Sequence, residues 1–227
     1  MAEKKNQKEH LNVEDALTQS EAFLMKYKNA IVGAVIAVIV IIAGFIMYKN
    51  LYAEPREEKA QVALFKGQQY FEQDAYEQAL NGDSIGYVGF LKVAEEYSGT
   101  KAANLAKAYA GICYAKLDKQ QEAVKMLEGF DISDQMAGPA LLAAAGNCYA
   151  KLGQMEKAAT TLVAAADKAD NNSLSPIFLI QAGQIFEQEG KYDDAIKAYT
   201  KVKEKYAQSI QGMEIDKFIE QAKLMKK

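Results

Sequence analysis

The most constraining feature of this sequence is a pattern that recurs four times after residue 59. Each copy contains a glycine, an aromatic residue three positions later and an alanine twelve positions later. The four sets are Gly67, Tyr70 and Ala79; Gly111, Tyr114 and Ala123; Gly146, Tyr149 and Ala158; and Gly183, Phe186 and Ala195. Self-similarity at a period of about 20 to 50 residues is typical of repeat architectures. The pattern therefore predicts a stack of similar units.

Each unit reads as a helical hairpin. A small residue where the first helix crosses its partner lets the two backbones approach closely, and the alanine repeats that approach from the second helix. Gly153 and Gly190 fall between the two positions, where a positive φ can end a helix. Only three prolines occur, and no alternating β-branched run lies outside one apolar segment. The prediction is an all-α fold containing a solenoid of about four hairpins.

The first hairpin is longer than the others. The glycines are spaced by 44, 35 and 37 residues, which leaves about seven to nine extra residues around positions 81–87. We expect the insertion to split or extend the second helix, with Phe90, Val93 and Ala94 resuming its apolar face. Asp83 beside glycine suggests a calcium loop, but the remaining ligands are absent at the required positions, so a plain loop is favoured.

The last residues have an amphipathic pattern. Apolar residues at helical spacing in this segment are Ile215, Phe218, Ile219, Ala222 and Met225. Repeat arrays need a terminal helix that covers the last hairpin and presents a polar outer face. Residues 209–227 are therefore predicted to form a capping helix.

The hairpin pattern over roughly residues 59–206 resembles the tetratricopeptide-repeat (TPR) family, whose repeat is about 34 residues long. The large aromatic residue often found near the start of each TPR is missing here. In that family the first helix of each hairpin lines a concave groove that binds proteins. The resemblance implies the following groove residues: Gln68, Phe71, Leu105, Ile112, Lys116, Asn147, Lys151, Ile177, Ile180, Gln184 and Glu187.

The chemistry of these groove residues favours apolar clients. Aliphatic side chains alternate with a few amides and lysines, which suits an amphipathic helix or an unfolded stretch. Some TPR domains hold carboxylates in a clamp of several basic and amide residues. Only Asn147 and Lys151 match such positions, so carboxylate recognition is not favoured.

A second strong feature is the apolar segment 30–48, which contains no charged residue, Asn, Gln or Pro. Its nineteen residues, at about 1.5 Å of rise each, span roughly the 30 Å hydrocarbon core of a bilayer. Tyr27 and Tyr48 lie where interfacial aromatic residues belong. A cleaved signal peptide is the alternative, but residues 1–28 with their five acidic residues precede the segment. We therefore expect a membrane anchor.

The domain organisation follows from these two features. The predicted parts are a tail at 1–28, a transmembrane helix at 29–49, a connector at 50–58, the TPR domain at 59–208 and the capping helix at 209–227. Residues from Asn12 are expected to form a helix that continues into the span. Lys4, Lys5 and Lys8 favour a cytoplasmic N-terminus, which places the repeat domain in the periplasm of a Gram-negative source.

The two cysteines occupy equivalent repeat positions. Cys113 and Cys148 each lie two residues after a repeat glycine. Equivalent positions on packed helices stand about 8 to 10 Å apart, which is too far for a disulfide. We predict two buried free thiols.

Several functional classes lack support. The single histidine, His10, lies in the tail before the span, so it cannot complete a triad or a metal site in the repeat domain. No phosphate-binding or dinucleotide-binding glycine motif occurs. The net charge of −3, from 27 basic and 30 acidic residues, argues against nucleic-acid binding. The prediction is a protein without enzymatic activity, cofactor or metal.

The order of parts, with one span, a short charged connector and about four TPRs, resembles the YfgM-like ancillary subunits of the SecYEG translocon. That resemblance implies a periplasmic domain near the translocon that associates with SecYEG and a PpiD-like anchored chaperone and assists exported client polypeptides. Two alternatives stay open. One is an assembly scaffold for division or secretion machinery, and the other is an enzyme or enzyme activator that uses its acidic groups.

Overall fold

The computed structural model describes residues 13–130 and 137–226, and every regular element in those ranges is helical. The chain divides into two units, Met1–Pro55 and Arg56–Lys227. The predicted all-α class is confirmed for the described residues.

The first unit is dominated by one helix. Helix α1 runs from Val13 to Tyr48 without a break, and a π-helical turn follows at Lys49–Ala53. Its apolar side chains, such as Ile39 and Ile42, are exposed rather than packed on protein. The helix is long and apolar enough to cross a membrane. The tail before Val13, including Asn12 and His10, lies outside the described residues.

The second unit is a series of helices, most of which pack on their neighbours along the chain. Their bounds are α2 Glu54–Glu72, α3 Tyr76–Asn81, α4 Phe90–Glu96, α5 Lys101–Lys116, α6 Gln120–Glu128, α7 Ala137–Lys151, α8 Met155–Ala169, α9 Ser175–Gln188, α10 Tyr192–Lys205 and α11 Ile210–Met225. The predicted connector at 50–58 is helical, because the π-turn leads directly into α2.

Each hairpin turns at the same repeat position. The residue seven places after each repeat glycine has a positive φ, and these residues are Asp74, Asp118, Gly153 and Gly190. Glycine takes this conformation at little cost, and aspartate tolerates it better than most residues. The left-handed residue ends the first helix and directs the chain into the second.

The repeat glycines pack against one residue of the second helix. A Cβ atom at Gly111 would lie 2.6 Å from Leu127 Cγ, and one at Gly146 would lie 3.0 Å from Leu162 Cγ. In hairpins two to four the contacted residue is sixteen positions after the glycine, and in the first hairpin Gly67 lies against Tyr87 and Phe90. A glycine at this position therefore allows the two helices to approach closely.

The insertion splits the second helix of the first hairpin, as predicted. Helix α3 ends at Asn81 and α4 begins at Phe90. Phe90, Val93 and Ala94 are all buried, which confirms that they resume the apolar face.

Asp83 organises the loop between α3 and α4. Its Oδ1 atom accepts hydrogen bonds from the backbone N–H groups of Ile85 (2.8 Å) and Tyr87 (2.9 Å). Its Oδ2 atom accepts one from the Tyr70 hydroxyl at 2.6 Å. Because protein donors occupy both oxygens, the carboxylate acts as the centre of a plain loop rather than as a calcium ligand.

The charged residues at the start of the second unit join it to later helices. The Glu57 carboxylate accepts hydrogen bonds from the backbone N–H groups of Lys101 (2.7 Å) and Ala102 (3.0 Å) at the start of α5. Arg56 donates to the carbonyl oxygen of Glu96 at the end of α4, at 2.7 Å. An acid at a helix N-terminus and a base at a helix C-terminus both complement the helix dipole.

Two apolar clusters form the core. One joins the first hairpin to α5 and contains Cys113, and the other extends from α5 to α11 and contains Cys148. Both cysteines are buried free thiols, as predicted. Burial raises the pKa of the Cys113 thiol to about 12, so it stays protonated at neutral pH.

Helix α11 packs on α10 and α9. Ile215, Ile219 and Ala222 are buried and Phe218 packs against the core, in line with a capping helix. Met225, the last residue of the helix, is half exposed, so it adds less to this face than the residues before it.

Candidate protein-binding groove

The predicted groove residues all lie on the first helix of a hairpin. Gln68 and Phe71 belong to α2; Leu105, Ile112 and Lys116 to α5; Asn147 and Lys151 to α7; and Ile177, Ile180, Gln184 and Glu187 to α9. We call this row the groove face. It extends across four helices, so its chemistry is that of an extended surface rather than of a compact site.

The apolar members of the groove face differ in exposure. Leu105 is 40% exposed and Ile177 is 37% exposed. Ile112 and Ile180 are half-buried and pack against the core. The first two side chains are therefore available to a ligand, whereas the second two also support the fold.

Gln68 and Phe71 join the first hairpin to the second. The Gln68 side-chain amide donates to the Tyr109 hydroxyl at 3.0 Å. The Phe71 ring meets the Tyr109 ring edge-on, with centroids 5.1 Å apart. Contacts of this kind fix the two hairpins relative to each other. Both residues therefore act at least partly as packing residues.

The polar members lie at the surface. Lys116, Asn147 and Gln184 are exposed. Lys151 forms an ion pair with Asp118, with Nζ and Oδ1 3.2 Å apart and both side chains more than half exposed. An exposed pair of this kind contributes little to stability and breaks readily when a ligand arrives. These groups can provide hydrogen bonds at the edge of an apolar contact.

Glu187 lies next to a buried hydroxyl group. Tyr199 is fully buried, and its ring occupies the space that a side chain at position 183 would need. Neither the Glu187 Oε1 atom nor the Tyr199 hydroxyl has a hydrogen-bond partner among the described residues. Burial raises the pKa of the Glu187 carboxyl above its usual range, and the nearby Tyr199 hydroxyl offsets part of that shift. Glu187 is thus the one groove-face residue whose charge opposes its surroundings.

The described residues offer little for a metal site. Within 13–130 and 137–226 no group of three or more His, Cys, Asp or Glu side chains could hold a metal ion. The acids at positions 193 and 194, near the start of α10, pair with lysines, Asp193 with Lys226 and Asp194 with Lys197. Such acids form a solvated face.

A comparison with protein-family models finds a tetratricopeptide repeat at residues 179–209. These residues contain most of α9 and all of α10, the fourth hairpin. No curated protein matches the chain. The second unit is therefore a TPR-type helical repeat region, and the first unit has one long apolar helix near the N-terminus.

Proposed function

We propose that this chain is a membrane-anchored, non-enzymatic scaffold whose repeat domain binds other proteins. The observation that carries the proposal is the pairing of a span-length apolar helix with a domain of TPR-type hairpins. TPR domains serve mainly as protein-interaction modules. The exposed aliphatic residues of the groove face, Leu105 and Ile177, suit apolar segments of client polypeptides.

We further propose that the domain lies in the periplasm and assists proteins that leave the Sec translocon. The basic residues of the N-terminal tail and the order of parts support this assignment. Anchoring in the same membrane as SecYEG and a PpiD-like chaperone raises the local concentration of weakly bound clients without strong affinity. A shallow surface with few exposed apolar side chains is adequate for that task.

The groove face can be tested with substitutions at exposed positions. Leu105→Asp with Ile177→Asp should weaken client binding while helicity is retained, because neither side chain is buried. Ile112→Asp with Ile180→Asp is a less specific test, because both side chains pack on the core. Ile210→Asp with Met213→Asp is the control, since these apolar residues are also exposed, at 79% and 76%, but lie on α11.

The binding measurement is co-purification of the full-length tagged protein in mild detergent after crosslinking in the membrane. We expect translocon subunits and an anchored chaperone with the wild type and the α11 control, and reduced recovery with the groove variant. A different envelope complex in their place would reject the translocon assignment. Equal recovery with the folded groove variant would reject the groove face as the binding surface.

A further inference from the structure

Helix α2 has exposed apolar side chains on its outer face. One of them occupies a repeat position that is buried in the later hairpins. Val62 lies five residues before the repeat glycine, as do Ala106, Leu141 and Phe178. Those three are at most 7% exposed, whereas Val62 is 67% exposed. Phe65, one turn further along α2, is 60% exposed.

The later hairpins show what covers this position. Helices α4, α6 and α8 are the second helices of hairpins one to three, and each packs on the next first helix, α5, α7 or α9. Helix α2 is the first helix of the second unit, so that unit has no preceding second helix. The interface that α2 presents is therefore suited to a helix.

The Val62 side of the face borders a groove, which Phe65 does not line. A cavity of about 500 Å³ lies between α2 and the segment that follows α3. Val62 and Ala63 line one side, and Val88 and Tyr97 line the other. A concave wall of this kind admits a helix or its side chains.

Charge indicates which helix fits. Lys59 and Lys66 are exposed, lie two turns apart on the same side of α2 and have no ion pair among the described residues. Glu58 lies on α2 one turn before Val62, and Glu96 across the groove is paired with Lys92 at 3.5 Å. A ligand helix with acidic residues along one edge would meet both lysines.

A second copy of this chain packed antiparallel fits the face poorly. If two α2 helices packed antiparallel around Val62 and Phe65, a two-fold axis would relate them. The edge that carries the lysines would then lie on the same side of the interface in both copies. Lys59 of one copy would then lie within about one turn of Lys66 of the other. Like charges would meet on both ends of the interface.

We propose that the face formed by Lys59, Val62, Phe65 and Lys66 binds an amphipathic helix of another protein, with an apolar stripe and acidic residues along one edge. The bound helix completes the solenoid at its first hairpin, in the place of a missing second helix. This surface is distinct from the groove face and does not depend on client binding there.

The test uses full-length protein in nanodiscs of neutral lipid and fluorescent peptides of about 18 residues, long enough to form a helix on binding. The first peptide has leucines on one face and glutamates along one edge, and the second has lysines in place of the glutamates. Binding is measured by fluorescence anisotropy. We expect the wild type to prefer the acidic peptide.

Two variants and two controls make the test specific. Val62→Ser with Phe65→Ser should weaken the acidic peptide by at least about tenfold, since exposed aromatic and aliphatic anchors dominate such contacts. Lys59→Glu with Lys66→Glu should reverse the preference in favour of the lysine peptide. Ile210→Ser with Met213→Ser, and Leu105→Asp with Ile177→Asp, should leave the affinity within about twofold.

Four results would overturn the proposal. The first is unchanged affinity of the Val62 and Phe65 variant, and the second is equal affinity for the two peptides. The third is quenching of a fluorophore at position 62 by a quencher carried on lipid, which would assign the face to the bilayer. The fourth is a wild-type dimer, seen by light scattering, that the Val62 and Phe65 variant dissociates.

Discussion

Phe90 packs against Gly67, which lies twenty-three residues before it in the chain. In the other hairpins this place is taken by the residue sixteen positions after the repeat glycine. The first hairpin therefore contains an insertion of seven residues. The chain leaves the helix after α3, closes a loop around Asp83 and returns in register at Phe90. The insertion therefore changes the surface of the first hairpin while preserving its core.

The contact between Gly183 and Tyr199 predicts a steep cost for one added methyl group. The Cβ atom of Gly183→Ala would overlap the ring of Tyr199, which is fully buried and cannot move away. Overpacking costs about 1 to 3 kcal/mol, which exceeds the gain of up to about 1 kcal/mol from replacing glycine in a helix. We expect a melting temperature several degrees lower, measured by circular dichroism.

Gly146→Ala is the matched control for that substitution. Its nearest neighbour is Leu162 Cγ at 3.0 Å, and a leucine side chain can adjust by a few tenths of an ångström. This variant should lie within about 1 kcal/mol of the wild type. Adding Tyr199→Leu to Gly183→Ala should recover part of the loss, because leucine occupies the equivalent place in two hairpins. Equal melting temperatures for the two glycine variants would contradict the packing described for the fourth hairpin.

The Glu57 carboxylate should stabilise the start of α5. Glu57→Ala removes the acceptor for two backbone N–H groups, and the loss of a cap costs about 1 kcal/mol. Amide hydrogen exchange at Lys101 and Ala102 should become faster. Glu58→Ala is the control, since Glu58 is exposed on the same helix. Similar exchange rates in both variants would show that the Glu57 contact does not persist in solution.

The loop between α3 and α4 should open when Asp83 loses its charge. Its pKa is lowered, mainly by the Tyr70 hydroxyl and the Tyr87 backbone N–H. A lowered pKa in the folded state contributes stability above the unfolded value, and that stability is lost as the pH falls through the folded value. Asp83→Ala should therefore increase proteolysis at residues 82–89 at neutral pH.

Lowering the pH should open the loop between α3 and α4, as Asp83→Ala does. Wild-type protein should become more sensitive to an acid-active protease as the pH falls below the usual pKa of an aspartate, whereas Asp83→Ala should lack this dependence. Ser84→Ala, an exposed change in the same loop, should behave as the wild type. A pH response that survives in Asp83→Ala would assign it to another group.

Neutralising Glu187 should stabilise the fourth hairpin. Its pKa is raised by burial, so its contribution to stability is largest below the usual value for glutamate and is lost as the pH rises through the raised value. Glu187→Gln should therefore raise the melting temperature at pH 7 by about 2 °C and have little effect at pH 4. Glu189→Gln changes an exposed residue at the end of the same helix and should leave the melting temperature unchanged at both pH values. A lower melting temperature at pH 7 would contradict this reading.

The fold could be predicted from the sequence because its determinants are periodic and local. The repeat glycines mark where helices touch, and the apolar segment marks the span. Two of the four left-handed turn residues, Asp74 and Asp118, were missed because aspartate, unlike glycine, is common in other conformations. Their signal was the constant distance of seven residues from each repeat glycine.

The contacts that were missed join residues far apart in the chain. Glu57 was assigned to a connector, yet its partners in α5 lie 44 and 45 residues away. No periodic pattern identifies such a pair. The groove face was predicted as a set of positions, but the burial of Ile112 and Ile180 depends on the neighbouring hairpins. Their exposure could not be read from residue type alone.

The central claim, that the repeat domain binds polypeptides on its groove face, is tested most directly by site-specific photo-crosslinking in intact membranes. A photoreactive residue is placed at Leu105 or Ile177 on the groove face and, for comparison, at Glu122 or Thr160, which are exposed on second helices. We expect covalent adducts with polypeptides at the first two positions and far fewer at the other two. Adducts of equal yield at all four positions, or none at Leu105 and Ile177, would contradict it.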